Sequence, residues 1–91
     1  MARDSDDELR NNAEYLWSHR LGSSVRSRRR SLGLSQHDVA LLAGVGVRLM
    51  HEIEHGKPSA RLDKVVAVLT VLGLQLTVVN GVDGVAVSGD G

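Results

Sequence analysis

Apolar positions keep helical spacing along most of the chain and switch to alternation only near its end. Leu9, Ala13, Leu16 and Trp17 recur every three to four residues and predict a first short helix. Ser5-Asp6-Asp7-Glu8 just before them has the form of a capping box, in which a serine and a residue three positions on satisfy the open amides of a helix start. A second helix is expected over residues 21–32, with Leu21, Val25 and Leu32 inward. Gly33 follows as the residue best able to adopt the left-handed closing conformation. Ser35 caps a third helix, with Asp38 completing a second box and Val39, Ala40 and Ala43 on its inner side, up to Gly44. A fourth helix spans about residues 46–55 and stops at Gly56. Pro58-Ser59 breaks the chain, and Ser59 or Ala60 opens a fifth helix with Leu62, Val65, Val66, Leu69 and Leu72, closed by Gly73.

The period then changes. Leu74-Gln75-Leu76-Thr77-Val78-Val79 alternates as a half-buried strand does. Asn80-Gly81 suits a tight turn with residues 82–87 returning, but four glycines within residues 81–91 favour a flexible tail. A lone strand is not a stable sheet. Its simplest partner is the same strand of a second chain, which predicts a homodimer with Leu74, Leu76 and Val78 on the buried face. The organisation expected is an acidic helical extension (1–20), a helical domain (21–73), a dimerisation strand (74–80) and a glycine-rich tail (81–91).

Composition narrows the class. At 91 residues the chain suits one small domain with a thin core, which also favours a homodimer. It has no cysteine, so disulfides and thiolate metal sites are excluded. No apolar run reaches membrane-spanning length, and the acidic start MARDSDDE is unlike a signal peptide, so a cytoplasmic protein without membrane partners is expected. The net charge is zero but unevenly spread: −2 over residues 1–20, +3 over 21–57 and −1 over 58–91. The basic middle contains Arg26, Arg28, Arg29 and Arg30.

One pentapeptide needs separate treatment. His51-Glu52-Ile53-Glu54-His55 fits the H-E-x-x-H pattern of zinc proteases. Such a site requires a third ligand and a substrate cleft. No histidine follows His55, the glycine after it ends the helix, and the only other histidines are His19 and His37. Metal hydrolysis is therefore not expected. No nucleophile–base pair or phosphate-binding glycine loop is present either, so no enzyme activity, cofactor, catalytic residue or metal ligand is predicted.

Spacing supplies the better reading. In a window opening at Gln36, Val39 and Ala40 are fourth and fifth, Ala43 and Gly44 eighth and ninth, Val45 tenth, Met50 fifteenth and Ile53 eighteenth. A helix-turn-helix needs a small residue where its helices cross, a glycine in the turn, and apolar positions that close a core between them. On a wheel of about 100° per residue, Gly46, Leu49, Met50 and Ile53 group on one side. Arg48, His51, Glu52 and His55 group on the other, the side that would enter a DNA major groove.

The stretch VRSRRRSLGLSQHDVALLAGVGVRLMHEIEHGK resembles the Xre-type helix-turn-helix family, the class of the lambdoid phage repressors and Cro, over about residues 21–72. The continuation LDKVVAVLTVLGLQLTVV is similar to HipB-type antitoxins. The resemblance implies a mainly all-α, five-helix repressor-like domain with a C-terminal strand that pairs across a homodimer. It implies a sequence-specific repressor of a palindromic double-stranded DNA operator, acting as the antitoxin of a HipBA-like operon that binds a HipA-like kinase toxin. Three features depart from the family: Gly46 in place of a capping Ser or Thr, Leu49 in place of a polar residue, and the N-terminal helix with Trp17.

The resemblance places base contacts at Val47, Arg48 and Glu52, with His51 close by. Arg48 suits guanine O6 and N7, Val47 a thymine methyl, and Glu52 cytosine N4. Phosphate contacts are expected from Ser35, Gln36, His55 and Lys57. The family alignment also pairs Arg29 with Glu54 as a structural salt bridge, leaving Arg26, Arg28 and Arg30 for phosphates or solvent. Two further readings stay open on the sequence alone: a regulator without a toxin, and a protein-interaction module that uses the same scaffold.

Overall fold

The computed structural model describes residues 2–57, 59–80 and 85–89, with side chains over 16–57 and 59–80. Among these residues the chain forms helices α1 (Ala2–Ser31), α2 (Gln36–Ala43), α3 (Val47–Glu54) and α4 (Leu62–Val71), then strands β1 (Leu74–Val78) and β2 (Val85–Gly89).

Four helices thus stand where the pattern predicted five, because the first two are one continuous helix of 30 residues. Nothing in residues 18–22 forces a break. There is no proline, and a helical glycine costs only about 1 kcal/mol relative to alanine. Gly22 has a packing reason to be there. A Cβ at this position would overlap the carbonyl oxygen of Ile53 and lie 3.0 Å from that of Glu54. α1 therefore meets the last turn of α3 backbone to backbone, which only glycine permits. Since α1 already includes Ser5, the box at residues 5–8 does not start it. The side chains of Leu9, Ala13 and Tyr15 lie outside the described residues.

The core is contributed by all four helices: Leu21 and Val25, Val39 and Ala40, Met50 and Ile53, and Val65, Val68, Leu69 with Leu72 just beyond α4. Burying side chains of this kind contributes about 1.5–3 kcal/mol each. Trp17, Leu34, Ala43, Val45, Leu49, Leu74 and Leu76 pack around it. Four residues expected inward or on the apolar stripe are exposed instead: Leu16, Leu32, Leu62 and Val66. Leu32 follows the last residue of α1, in the turn that closes at Gly33, and so leaves the buried ridge. Leu62 opens α4, whose N-cap is Arg61 rather than Ser59 or Ala60 and makes no side-chain capping bond. No helix among the described residues is long and apolar enough to cross a membrane.

β1 and β2 form an antiparallel hairpin in which Leu74 lies opposite Gly89, Leu76 opposite Val87 and Val78 opposite Val85. Residues 85–89 are therefore a strand, not the flexible tail expected, and β1 has a partner within its own chain. The proposed turn at Asn80-Gly81 falls partly on residues 81–84, outside the described residues. Leu74 and Leu76 pack on the core as expected, whereas Val78 is 86% exposed, against the expectation that it lies on the buried face. A side chain at Arg28 secures the junction: its Nε donates to the Leu72 carbonyl at 2.8 Å.

Candidate nucleic-acid interface

The α2–turn–α3 unit is built by local chemistry at both ends of α2. Ser35 sits in extended backbone and its hydroxyl accepts from the Asp38 amide at 3.0 Å, while the Asp38 carboxylate accepts from the Ser35 amide at 2.9 Å. These bonds hold the Asp38 carboxyl below its ordinary range. At the other end Gly44 takes φ 70°, the left-handed region, and the chain reverses. Val45 then donates to the Ala40 carbonyl at 3.0 Å. Ala40 is buried, as the small residue at the crossing must be. Gly46 opens α3 without any side-chain capping bond.

A buried polar knot fixes α3 against the other helices. Arg29 Nε donates to Glu54 Oε2 at 2.6 Å and Arg29 Nη2 to Oε1 at 3.0 Å, a bidentate pair. Gln36 Nε2 donates to the same Oε1 at 3.1 Å, and Arg29 Nη1 to the Leu34 carbonyl at 2.9 Å. The Glu54 side chain is only 1% exposed. Burial pushes its carboxyl up, but the hydrogen bonds from Arg29 and Gln36 and the charges of Arg29 and Arg26 outweigh it, so Glu54 stays below its ordinary value. The hydrogen bond that Arg29 donates to Glu54 in turn raises Arg29. The end of α1, the start of α2 and the end of α3 thus meet on one carboxylate.

The opposite face of α3 is open. Val47, Arg48, His51 and His55 are exposed, and Glu52 is half-buried. Arg48, with a side chain 91% exposed, lies 3.5 Å from Glu52, which also faces Lys57 at 3.4 Å. The His51 and His55 rings stack with centroids 3.9 Å apart, and His55 Nδ1 lies 2.8 Å from the His51 carbonyl oxygen. Among the described residues no group of three metal-binding side chains exists.

The structure therefore brings Val47, Arg48, His51, Glu52, His55 and Lys57 together at one surface, and Arg29 with Glu54 behind it. Ser35 and Gln36 lie at the start of α2, where the Ser35 hydroxyl is occupied in the cap and the Gln36 amide turns to Glu54. Sequence reasoning missed that inward role of Gln36, the anchor at Arg28 and the close approach at Gly22. It also missed Ser18, a buried polar residue of α1, and His19, whose ring lies where a Cβ at Gly56 would stand. Only the glycine-then-helix context of Gly22 offered any signal.

The helix-turn-helix domain family matches residues 20–80, more than half of the chain. This chain belongs to that family. Over 58 residues it is 40% identical to an uncharacterized HTH-type transcriptional regulator, y4mF, of Sinorhizobium fredii; the alignment covers 64% of this chain and 76% of the relative. The matched span starts inside α1 and ends at the exit of β1. This helix-turn-helix protein therefore carries the family domain from the second half of its long first helix through the first strand of its hairpin. The first half of α1 lies outside it.

Proposed function

We propose that this helix-turn-helix protein is a sequence-specific DNA-binding transcriptional repressor that uses the outer face of α3 as its reading surface. The observation that carries this is the contrast across α3: its inner face is locked to α1 and α2 through Glu54, while Arg48 on the outer face is almost wholly exposed. A locked frame holding an exposed guanidinium is what base readout in a major groove requires. In this reading Val47, Arg48, His51 and Glu52 meet base edges. Ser35, Gln36, His55 and Lys57 meet phosphate, Gln36 chiefly through its backbone amide. Glu52 releases Arg48 and Lys57 as they take up DNA partners.

Two finer features belong to the same proposal. The protein acts as a homodimer on a palindrome with half-sites about 34 Å apart, joined through the open edge of its hairpin. It serves as an antitoxin that binds a HipA-like kinase toxin. Support for both comes from the residues themselves: a last helix running into Leu72-Gly73-Leu74 and a short strand with exposed Val78 and Val79.

Fluorescence anisotropy against the DNA upstream of its own reading frame and against a scrambled duplex, at two salt concentrations, tests the core of the proposal. Tighter, steeply salt-dependent binding to the upstream DNA is expected. Equal and feeble binding to both would make the helix-turn-helix a scaffold for protein contacts. Light scattering reads the dimer. Co-purification with the product of a neighbouring kinase-like frame reads the antitoxin role, and a regulator without such a neighbour acts alone.

A further inference from the structure

The stacked histidines on the outer face of α3 carry more than a contact surface. A carbonyl oxygen only accepts hydrogen bonds. The 2.8 Å approach of His55 Nδ1 to the His51 carbonyl therefore fixes the proton on Nδ1. In the neutral ring Nε2 is then a bare lone pair. A phosphate oxygen also only accepts, so the neutral ring has nothing to offer it. Protonation changes this: imidazolium keeps the bond to His51 and gains an N–H donor at Nε2. Resting on the DNA-binding reading above, we infer that His55 is a proton-dependent phosphate clamp, so that DNA association takes up one proton at the stacked pair.

The surroundings fit a single proton. With ring centroids 3.9 Å apart, two adjacent imidazolium charges would repel, whereas one imidazolium can stack on one neutral ring. The other charged groups of α3 and its exit are Arg48, Glu52, Glu54 and Lys57, with Glu52 lying between the two cations and Glu54 turned inward to Arg29. Among described residues, α1 contributes His19, beside Gly56, and Arg29, turned to Glu54 with Arg26 at longer range. α2 contributes His37 and Asp38, the latter engaged in its own cap. Among the described residues no carboxylate forms an ion pair with the His55 ring, which leaves a bound phosphate as the natural partner of its charge.

The linkage has a definite sign. Proton uptake on binding makes affinity fall as pH rises. One linked proton raises Kd by up to about tenfold per pH unit. The protonated clamp also adds one phosphate contact, so the slope of log affinity against log salt should steepen by about 0.9 on acidification.

The test is anisotropy at constant ionic strength from pH 5.5 to 8, using the upstream duplex and the scrambled duplex, for the wild type, His55→Gln and His51→Gln, with folding checked by circular dichroism. The expected result is a one-proton slope and a steeper acid-side salt dependence in the wild type, on both duplexes. His55→Gln should flatten the slope and converge with the wild type near pH 8. An equal slope in His55→Gln would overturn the inference. So would a slope lost only in His51→Gln, which would place the proton on the other ring. Absence of DNA binding at every pH would instead defeat the DNA-binding reading on which it rests.

Discussion

The two faces of α3 use the same pair of residue types under opposite conditions. On the inner face Arg29 reaches Glu54 at 2.6 Å with the carboxylate 1% exposed. On the outer face Arg48 stands 3.5 Å from Glu52 with the guanidinium 91% exposed. An exposed pair of this kind is screened by water and contributes about 0–1 kcal/mol. A buried pair is different: its formation costs desolvation, but removing one partner strands the other charge and costs about 3–5 kcal/mol. The inner pair is thus committed to holding the frame, and the outer pair is cheap to open. That difference is what lets one short helix be rigidly placed and still free to exchange partners.

Arg29→Ala should break the comparison most severely. It leaves Glu54 buried without its cation, and stability should fall by about 3 kcal/mol or more. In a domain of this size that lowers Tm by more than about 10 °C, read by thermal denaturation. An unchanged Tm would show the inner pair to be as dispensable as the outer one. Gly22→Ala should come next. Alanine is the better helix former, but its Cβ would collide with the Ile53 carbonyl, and crowding of this type costs about 1–3 kcal/mol. A rise in Tm would mean that α1 can retreat from α3 freely.

Acid titration sharpens the same contrast. Glu54 is held below its ordinary value of 4.5, so its contribution to stability is present above that pH and is lost as the pH falls through its folded value. In Arg29→Ala burial is opposed only by the Gln36 hydrogen bond and the charge of Arg26, so the carboxyl stands higher than in the wild type. The stability gap between wild type and variant should therefore narrow as pH drops below about 4.5, measured by urea unfolding at a series of pH values. A constant gap would remove the ion pair from the explanation.

Arg48→Ala is the counterpart on the outer face. Its stability should stay within about 0.5 kcal/mol of wild type, while binding to the upstream DNA weakens by about 1–3 kcal/mol, chiefly at one base pair. Uniform loss on all sequences would make Arg48 a phosphate residue. The smallest effect belongs to Gly46→Ser. Gly46 already has the extended backbone of an N-cap, with open space at its Cβ position, so a serine hydroxyl should add a few tenths of a kcal/mol. A loss of stability there would indicate that the turn needs glycine for another reason.

Local rules in the sequence sufficed for much of this molecule. Ser35 with Asp38, Gly44, buried Ala40, and the inward Met50 and Ile53 depend on neighbours within about one helical turn or on one repeating spacing, and all are legible in the linear order. The outward grouping of Arg48, His51 and His55 follows from the same periodicity. What the linear order did not determine depends on contacts between distant residues. How closely α1 approaches α3 is decided by the α3 carbonyls, which leave room for Gly22 and nothing larger. Whether Leu16, Leu32, Leu62, Val66 and Val78 are covered depends on where the neighbouring helices end. The partner of β1 lies beyond Gly81 and Gly84, in a glycine-rich stretch where local preference for a strand is weak and pairing supplies the stability. The inward turn of Gln36 exists only because Glu54, eighteen residues away, has already been brought to that corner by Arg29. Caps and periodicity are short-range and additive, so sequence determines them; close approach, burial and pairing are set by the shape of the other surface, and only the folded chain supplies that.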